Sequence, residues 1–460
     1  MIMLTAAAAD LRLSYKSWVG VLIVVTCASL VLTVAIAGSV TASSTAGDAG
    51  RLLASFTTPS AALTLVAAAA TLNVVSALAV ADQRRSHALW QLAGLLPRQV
   101  GGIAVLQLAQ VAILGLVAGM AGGAVAAQPL FDLVFSINSI GTAPPIAVDP
   151  ATVLVTSLLV IVSLTFGGVR SALEVRRVPA LEAVLRPPER PVRVGVFRWI
   201  LLGASGLIAL LLGVSIATSA HASLAKATLA LVPLSILLAC VLTLAVSCIA
   251  PIAFPSLLKL WTAAIPSQAS VSWYLARNAC QARLTRSSST ITPLMIGTAL
   301  TSSLFTVFMT SERAQVAAGV AAPGTSTINT SSILTVLAGP LLLCTATVAV
   351  VVYMTSRNRE REYATIIAAG GTSRVILGSA LLEAVIYAVT AGLAGLFVAT
   401  VVGWTLSDGY LHLAGGPTAA IDVVYGAAVV GIGLILLLAG VGLPATTALR
   451  SDVAPSLAAE

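Results

Sequence analysis

Ten stretches of about twenty apolar residues, joined by short polar links, fill most of this chain. Such a stretch is long enough to cross the hydrocarbon core of a bilayer as a helix. In lipid the backbone must satisfy its own hydrogen bonds, so an apolar run of that length is a helix or belongs to a closed barrel. The expected spans are 18–38, 60–81, 102–126, 151–172, 198–218, 227–252, 291–310, 332–355, 375–402 and 424–448. The seventh is the least apolar, with Pro293 and several Ser and Thr, and one proline is tolerated in a membrane helix. Only 9% of residues are charged and 58% are hydrophobic, which is too little polar surface for a soluble protein of 460 residues. The fold class expected is an all-α integral membrane protein with ten transmembrane helices.

The few charges are placed asymmetrically. With the N-terminus in the cytoplasm, only Arg51, Lys226 and Arg313 of the 24 Lys and Arg fall on the outer side. That bias puts both termini in the cytoplasm. The net charge of +8 is thus a topology signal, reinforced by attraction to anionic inner-leaflet lipid. No basic, aromatic-interleaved soluble module exists, so no nucleic-acid partner is expected. The first span is too long for the apolar core of a signal peptide and follows a polar stretch, Asp10 to Ser17, so it is expected to be retained.

Catalytic chemistry finds no foothold. Cys27, Cys240, Cys248 and Cys344 fall within spans and Cys280 on the cytoplasmic side, none at metal-ligand spacing. His87, His221 and His412 are isolated, and no Ser/His/Asp or paired-carboxylate arrangement stands out. The three lysines, Lys16, Lys226 and Lys259, sit in no phosphate-binding glycine loop. The chain is expected to be a non-enzyme with no metal and no cofactor of its own.

A displacement of 276 positions lays one part of the chain on another. Arg85 meets Arg361, Ala88 meets Ala364, Ala93-Gly94 meets Ala369-Gly370, Arg98 meets Arg374 and Gln107 meets Glu383. Gly119 meets Gly395, and Pro179 meets Pro455. Two copies of one helical unit point to a two-fold-like arrangement. The layout expected is 4+2+4: a first four-helix unit over 1–186, a linker with two extra spans and a cytoplasmic segment over 187–290, and a second four-helix unit over 291–460. The linker segment 254–290 carries Trp261, Trp273 and Tyr274 among Lys and Arg, which reads as an interfacial helix with an aromatic belt. The outer loops, 39–59, 127–150, 311–331 and 403–423, are too short for a domain with its own core.

The repeated loops are the best candidates for a functional contact. Each has a charged start, Asp82 to Arg85 or Arg357 to Glu362. A short apolar helical run follows, closed by Gly94 or Gly370, and then a basic residue, Arg98 or Arg374. In the third span Gly115, Gly119 and Gly123 recur every fourth residue, matched in the ninth by Ala391, Gly395 and Ala399, so that helices can approach closely. They pack either within each unit or along a sliding seam between the halves. Gln107 and Glu383 are polar residues near the start of membrane helices, where an ionisable group is a functional candidate. Glu383, about two turns from Arg374, is expected at the interface, paired with a base.

The segment Arg359-Glu-Arg-Glu-Tyr-Ala-Thr-Ile-Ile-Ala-Ala-Gly-Gly-Thr-Ser-Arg374, with Glu383 beyond it, resembles the signature of FtsX/MacB-type ABC permeases. There an Arg/Glu cluster precedes a short helix ending in Gly-Ala-Ser/Thr, with a Glu thirteen residues after the Gly, a spacing that Gly370 and Glu383 keep. Gly371 replaces the usual Ala. The first copy departs further, with Leu95-Leu96-Pro97 and Gln107. The tail pattern Pro179-Ala-Leu-Glu-Ala-Val-Leu-Arg186 also fits. The 4+2+4 count is similar to the ten-span branch that includes Bce-type antimicrobial-peptide transporters, without their large extracellular domain. The resemblance implies a permease subunit in a bacterial plasma membrane that moves or extracts an amphipathic or hydrophobic substrate. It implies ATP and Mg on a separately encoded ATPase, two copies per permease. Arg84, Arg85, Trp90, Gly94 and Arg98 would form one coupling site, and Arg359, Glu360, Arg361, Glu362, Gly370 and Arg374 the other. The alternative is a mechanotransmission protein that signals without transport.

Overall fold

A computed structural model describes residues 15–45, 47–137, 143–165, 196–218, 223–266, 270–282, 284–320, 330–356, 367 and 370–448. Among them there is no strand. In chain order the helices are α1 (Tyr15–Ser44), α2 (Asp48–Asp82), α3 (Arg84–Leu92), α4 (Pro97–Ile137), α5 (Pro150–Leu164) and α6 (Val196–Thr218). They continue as α7 (Leu224–Thr262), α8 (Val271–Ala282), α9 (Leu284–Ala317), α10 (Thr330–Ser356), α11 (Ser373–Ala414) and α12 (Val424–Ala448). Eight, namely α1, α2, α4, α6, α7, α9, α10 and α11, are long and apolar enough to cross a membrane. At the expected fourth and tenth spans the described apolar helices are shorter, Pro150–Leu164 and Val424–Gly440.

Several helices outrun their expected spans. α4 has 41 residues and α11 has 42. At 1.5 Å per residue that is about 60 Å, twice a hydrocarbon core of about 30 Å. The outer loops expected at 127–150 and 403–423 are therefore mostly or partly helix. Ala and Leu favour helix well past the lipid boundary, and packing holds the ends in place. Phe131 and Phe135, near the end of α4, bury themselves against Ala42 and Leu53 of α1 and α2.

Within each half the first helix is the hub, and the third lies along it through its small residues. A Cβ built on Gly115 would come within 2.8 Å of Val25, one on Gly119 would run into the Thr26 carbonyl, and one on Gly123 would lie 2.9 Å from the Leu30 carbonyl oxygen. Gly395 sits in the same way on Thr298 and Ala299 of α9. Both stripes thus pack inside their own half, and the sliding seam between halves is not where they lie. Contacts advance together along both members of each pair, so α1 runs parallel to α4 and α9 parallel to α11. The halves meet elsewhere. Gly339 of α10 closes on Val31 of α1 and Thr64 of α2, and Gly20 of α1 on Val350 and Met354 of α10.

Ser29 stands to Gly119 as Thr298 stands to Gly395. The displacement between the first helices is therefore 269, against 276 for the later ones. The longer link between the first and second helices of the second half accounts for the difference, which is about two helical turns.

α6 and α7 pack mainly on the second half, with Gly409 of α11 against Ile216 and Leu231, and α7 also touches α2. α9 is thereby enclosed. Its apolar window is 94% buried, against 11% for α6, although its mean hydropathy of 1.5 is the lowest of the eight long helices. Its hydroxyls do not face lipid. Thr292, Thr298 and Ser311 bond back to carbonyls of the preceding turn, which hides their polarity inside a helix.

Candidate functional site

The first repeated loop is built from its turn upward. α3 is nine residues long and begins one residue after α2 ends. Its Ala88 is buried, and Trp90 with Leu95 packs on Val80 of α2 and Val100 of α4. That anchor turns the other side outward, leaving Leu89, Leu92 and Leu96 51%, 55% and 63% exposed. Gly94 closes the helix at φ +98, a conformation costly for any residue with a Cβ. The chain then enters α4 at Pro97, with Arg98 exposed in the first turn.

The second loop repeats that geometry bond for bond at its exit. Gly370 has φ +86. Its N–H donates to the Ile367 carbonyl at 2.9 Å, as that of Gly94 does to Gln91 at 3.1 Å. Val375 and Ile376 both donate to Thr372, as Gln99 and Val100 both donate to Leu96. Arg374 is exposed at the start of α11, like Arg98 at the start of α4. Arg359, Glu360, Arg361 and Glu362 lie outside the described residues, as do the side chains of Arg84 and Arg85.

Glu383 lies inside the helix bundle. It is 9% exposed, and the Tyr387 hydroxyl donates to its Oε1 at 2.6 Å. Arg374 is exposed two and a half turns earlier. Tyr387 lies one turn on from Glu383 and also meets Ser287 of α9 at 3.3 Å, and Ser287 donates to the Cys280 carbonyl of α8 at 2.9 Å. This buried chain joins three helices. Glu383 was legible in the sequence, whereas Tyr387 and Ser287 were not. The available signal was the Glu383/Tyr387 spacing of one turn in an otherwise Ala-rich span. Gln107, the counterpart of Glu383, is fully buried in α4.

The linker aromatics also differ from expectation. Trp273 is 5% exposed and meets Trp261 edge to face, ring centroids 6.3 Å apart. Trp261 Nε1 donates to Thr390 of α11 at 3.0 Å. The two indoles therefore pack inside, beside α11, rather than in a lipid belt, because their rings meet each other and the Trp261 N–H finds Thr390. Tyr274 alone of the three is exposed. Ser272 donates to the Val375 carbonyl at 3.3 Å, which ties α8 to the first turn of α11.

At the end of the bundle away from the Gly94 and Gly370 turns, sequence reading overlooked Asp422. It is buried and accepts the backbone N–H groups of Val424, Tyr425 and Gly426 at 3.1 to 3.2 Å, holding the first turn of α12. Its own N–H donates to Thr306 of α9 at 2.9 Å. Ala420 does the same to Thr310, and Arg313 reaches the Ala419 carbonyl.

No group of His, Cys, Asp and Glu among the described residues has the geometry of a metal centre. A multi-pass helical membrane protein with a glycine-closed loop in each half defines the class. A family model described as FtsX-like permease C-terminal matches the chain twice, over 60–180 and 334–453, just over half of its length. The chain belongs to the FtsX-like permease family, whose members are non-catalytic membrane subunits working with ATPase partners in ABC systems. Comparison with curated proteins gives no match.

Proposed function

We propose that this chain is the permease subunit of an ABC transporter and that its two repeated loops receive separately encoded ATPase subunits, one at each. The single observation carrying the reading is the shared exit turn at Gly94 and Gly370, each leading straight into a long helix of its own half. A docked motor pushing there moves α4 or α11 as a rod, since each exit turn runs directly into its helix. The contact surface on the first loop is Leu89 and Leu92 of α3 with Leu96 just beyond it, all exposed and flanked by Arg98. ATP and Mg stay with the motor. α5 and α12 complete the ten-span, 4+2+4 layout, with both termini in the cytoplasm.

The substrate class is amphipathic or hydrophobic, entering sideways from the bilayer. The described spans offer lipid an apolar surface, with Ile113, Leu114 and Val117 exposed on α4. The test is co-purification of the ATPase with wild-type protein and with Leu92→Asp. The variant is expected to retain its fold and to bind the motor at least tenfold more weakly, as loss of a buried leucine implies. Equal binding overturns the assignment of α3.

The second reading is motion transmitted outward without transport. The outer extensions of α4 around Phe131 and Phe135 favour it, since they offer a partner a rigid end. Substrate-dependent transport by the reconstituted complex supports the first reading, and ATP-dependent activation of an outer enzyme without transport supports the second.

A further inference from the structure

Two tyrosine hydroxyls pin α9 to α11. Near the inner end Tyr387 meets Ser287 at 3.3 Å, and near the outer end Tyr410 meets Ser311 at 3.2 Å. All four residues are buried. Midway, Thr298 Oγ1 reaches the Ala391 carbonyl at 3.3 Å. The inner pin extends further, through Tyr387 to Glu383 and through Ser287 to the Cys280 carbonyl of α8. α8 in turn holds α11 through Ser272 and Val375.

The first half has the same helix pair without the pins. Carried by the displacements of 269 and 276, Ser287 and Tyr387 become Trp18 and Val111, while Ser311 and Tyr410 become Ala42 and Val134. No side-chain hydroxyl pair is possible at either end. α4 meets α1 through Gly115, Gly119 and Gly123 in close van der Waals packing.

We propose that the halves are mechanically unequal. α8, α9 and α11 form one rigid lever fastened by Tyr387 and Tyr410, and the α1–α4 seam is the compliant joint. Tyr387 is then a positioning residue that transmits movement of the second loop to α9. This rests on reading the Gly370 loop as a motor contact, but the mechanical difference belongs to the permease itself. Each interhelical hydrogen bond inside a membrane shifts an equilibrium by roughly threefold, so the two pins together favour the fastened arrangement by roughly tenfold.

The test uses the full-length permease in lipid nanodiscs without any ATPase. Cys27, the one described cysteine that is not buried, is replaced by Ser. Spin labels are placed on Ala317 and His412 for α9–α11, and on Ser43 and Ser136 for α1–α4, all exposed. Pulsed dipolar spectroscopy is expected to give a narrow distance distribution for the first pair and a clearly broader one for the second. Tyr387→Phe with Tyr410→Phe is expected to broaden the α9–α11 distribution towards that of α1–α4, with an unchanged circular dichroism spectrum. Equal widths in the wild-type protein overturn the proposal, as does a narrow α9–α11 distribution in the double Phe variant. If the pins hold while Gly370→Pro still binds as many ATPase chains as the wild type, it is the docking reading that fails and not this one.

Discussion

Gly94 and Gly370 carry φ of +98 and +86, and a Cβ at either meets no neighbour. Substitution there is strained by backbone conformation alone, at about 1–2 kcal/mol for alanine. Gly94→Ala and Gly370→Ala are each expected to lower the melting temperature modestly, and Asn to be better tolerated than Ala, because Asn visits that conformation more readily. Equal behaviour of Ala and Asn contradicts the turn geometry. Gly119 and Gly122 offer the opposite case, since both are helical and only their surroundings differ. Alanine at 119 meets the Thr26 carbonyl and the Ser29 side chain, whereas at 122 it finds only the movable end of Leu30 at 3.4 Å. Gly119→Ala is expected to cost about 1–3 kcal/mol by overpacking, and Gly122→Ala to change thermal unfolding little. At the outer end, Asp422→Ala removes an acceptor shared by three backbone N–H groups. A loss of about 1–2 kcal/mol follows from the lost cap, with Asn recovering part of it.

At the scale of elements, legibility followed whether polarity and burial agreed. The spans were readable because an apolar run of twenty residues has few alternatives in lipid. α9 was the weakest on the page, because Ser and Thr signal exposure, yet it is the most enclosed of the long helices, at 94% of its window. Several of its hydroxyls are satisfied by its own carbonyls, by Tyr410, and by the segment around Asp422, and a one-dimensional pattern does not show those partners. The ends of α4 and α11 were also hidden. Hydropathy marks where lipid ends, and helices continue as long as packing rewards them. Trp261 and Trp273 misled for a related reason, since aromatic residues near Lys and Arg suit both a lipid interface and a helix contact. α3 was read correctly as a short helix closed by a glycine, but only the structure separates its anchored side, Trp90 and Leu95, from its exposed row of leucines. Replacing Trp90 with Ala is expected to loosen α3 from α2 and α4. A proteolytic site within 84–96 should then be cut faster while the membrane helices stay intact, and unchanged cleavage contradicts the anchor.

For the whole molecule, the repeat read from the sequence recurs as geometry in the turns at Gly94 and Gly370 and in the helix pairs α1–α4 and α9–α11. It is not a strict symmetry. α6 and α7 lie mainly against one half, Tyr387 and Tyr410 pin one pair, and two helical turns separate the displacements of the first and later helices. The pins arise from contacts between distant residues, which is why sequence comparison alone exposed the extra spans and the departures at Leu95-Leu96-Pro97 and Gln107 but not the tyrosine pins. The central claim is that both loops receive a motor, and its most direct measurement is the number of ATPase chains held by the permease. Native mass spectrometry of nucleotide-free complexes would compare wild type, Gly94→Pro, Gly370→Pro and the double variant, since proline cannot take a positive φ. Docking at both loops predicts two ATPase chains on wild type, one on each single variant and none on the double. A double variant that still carries its ATPases would contradict it.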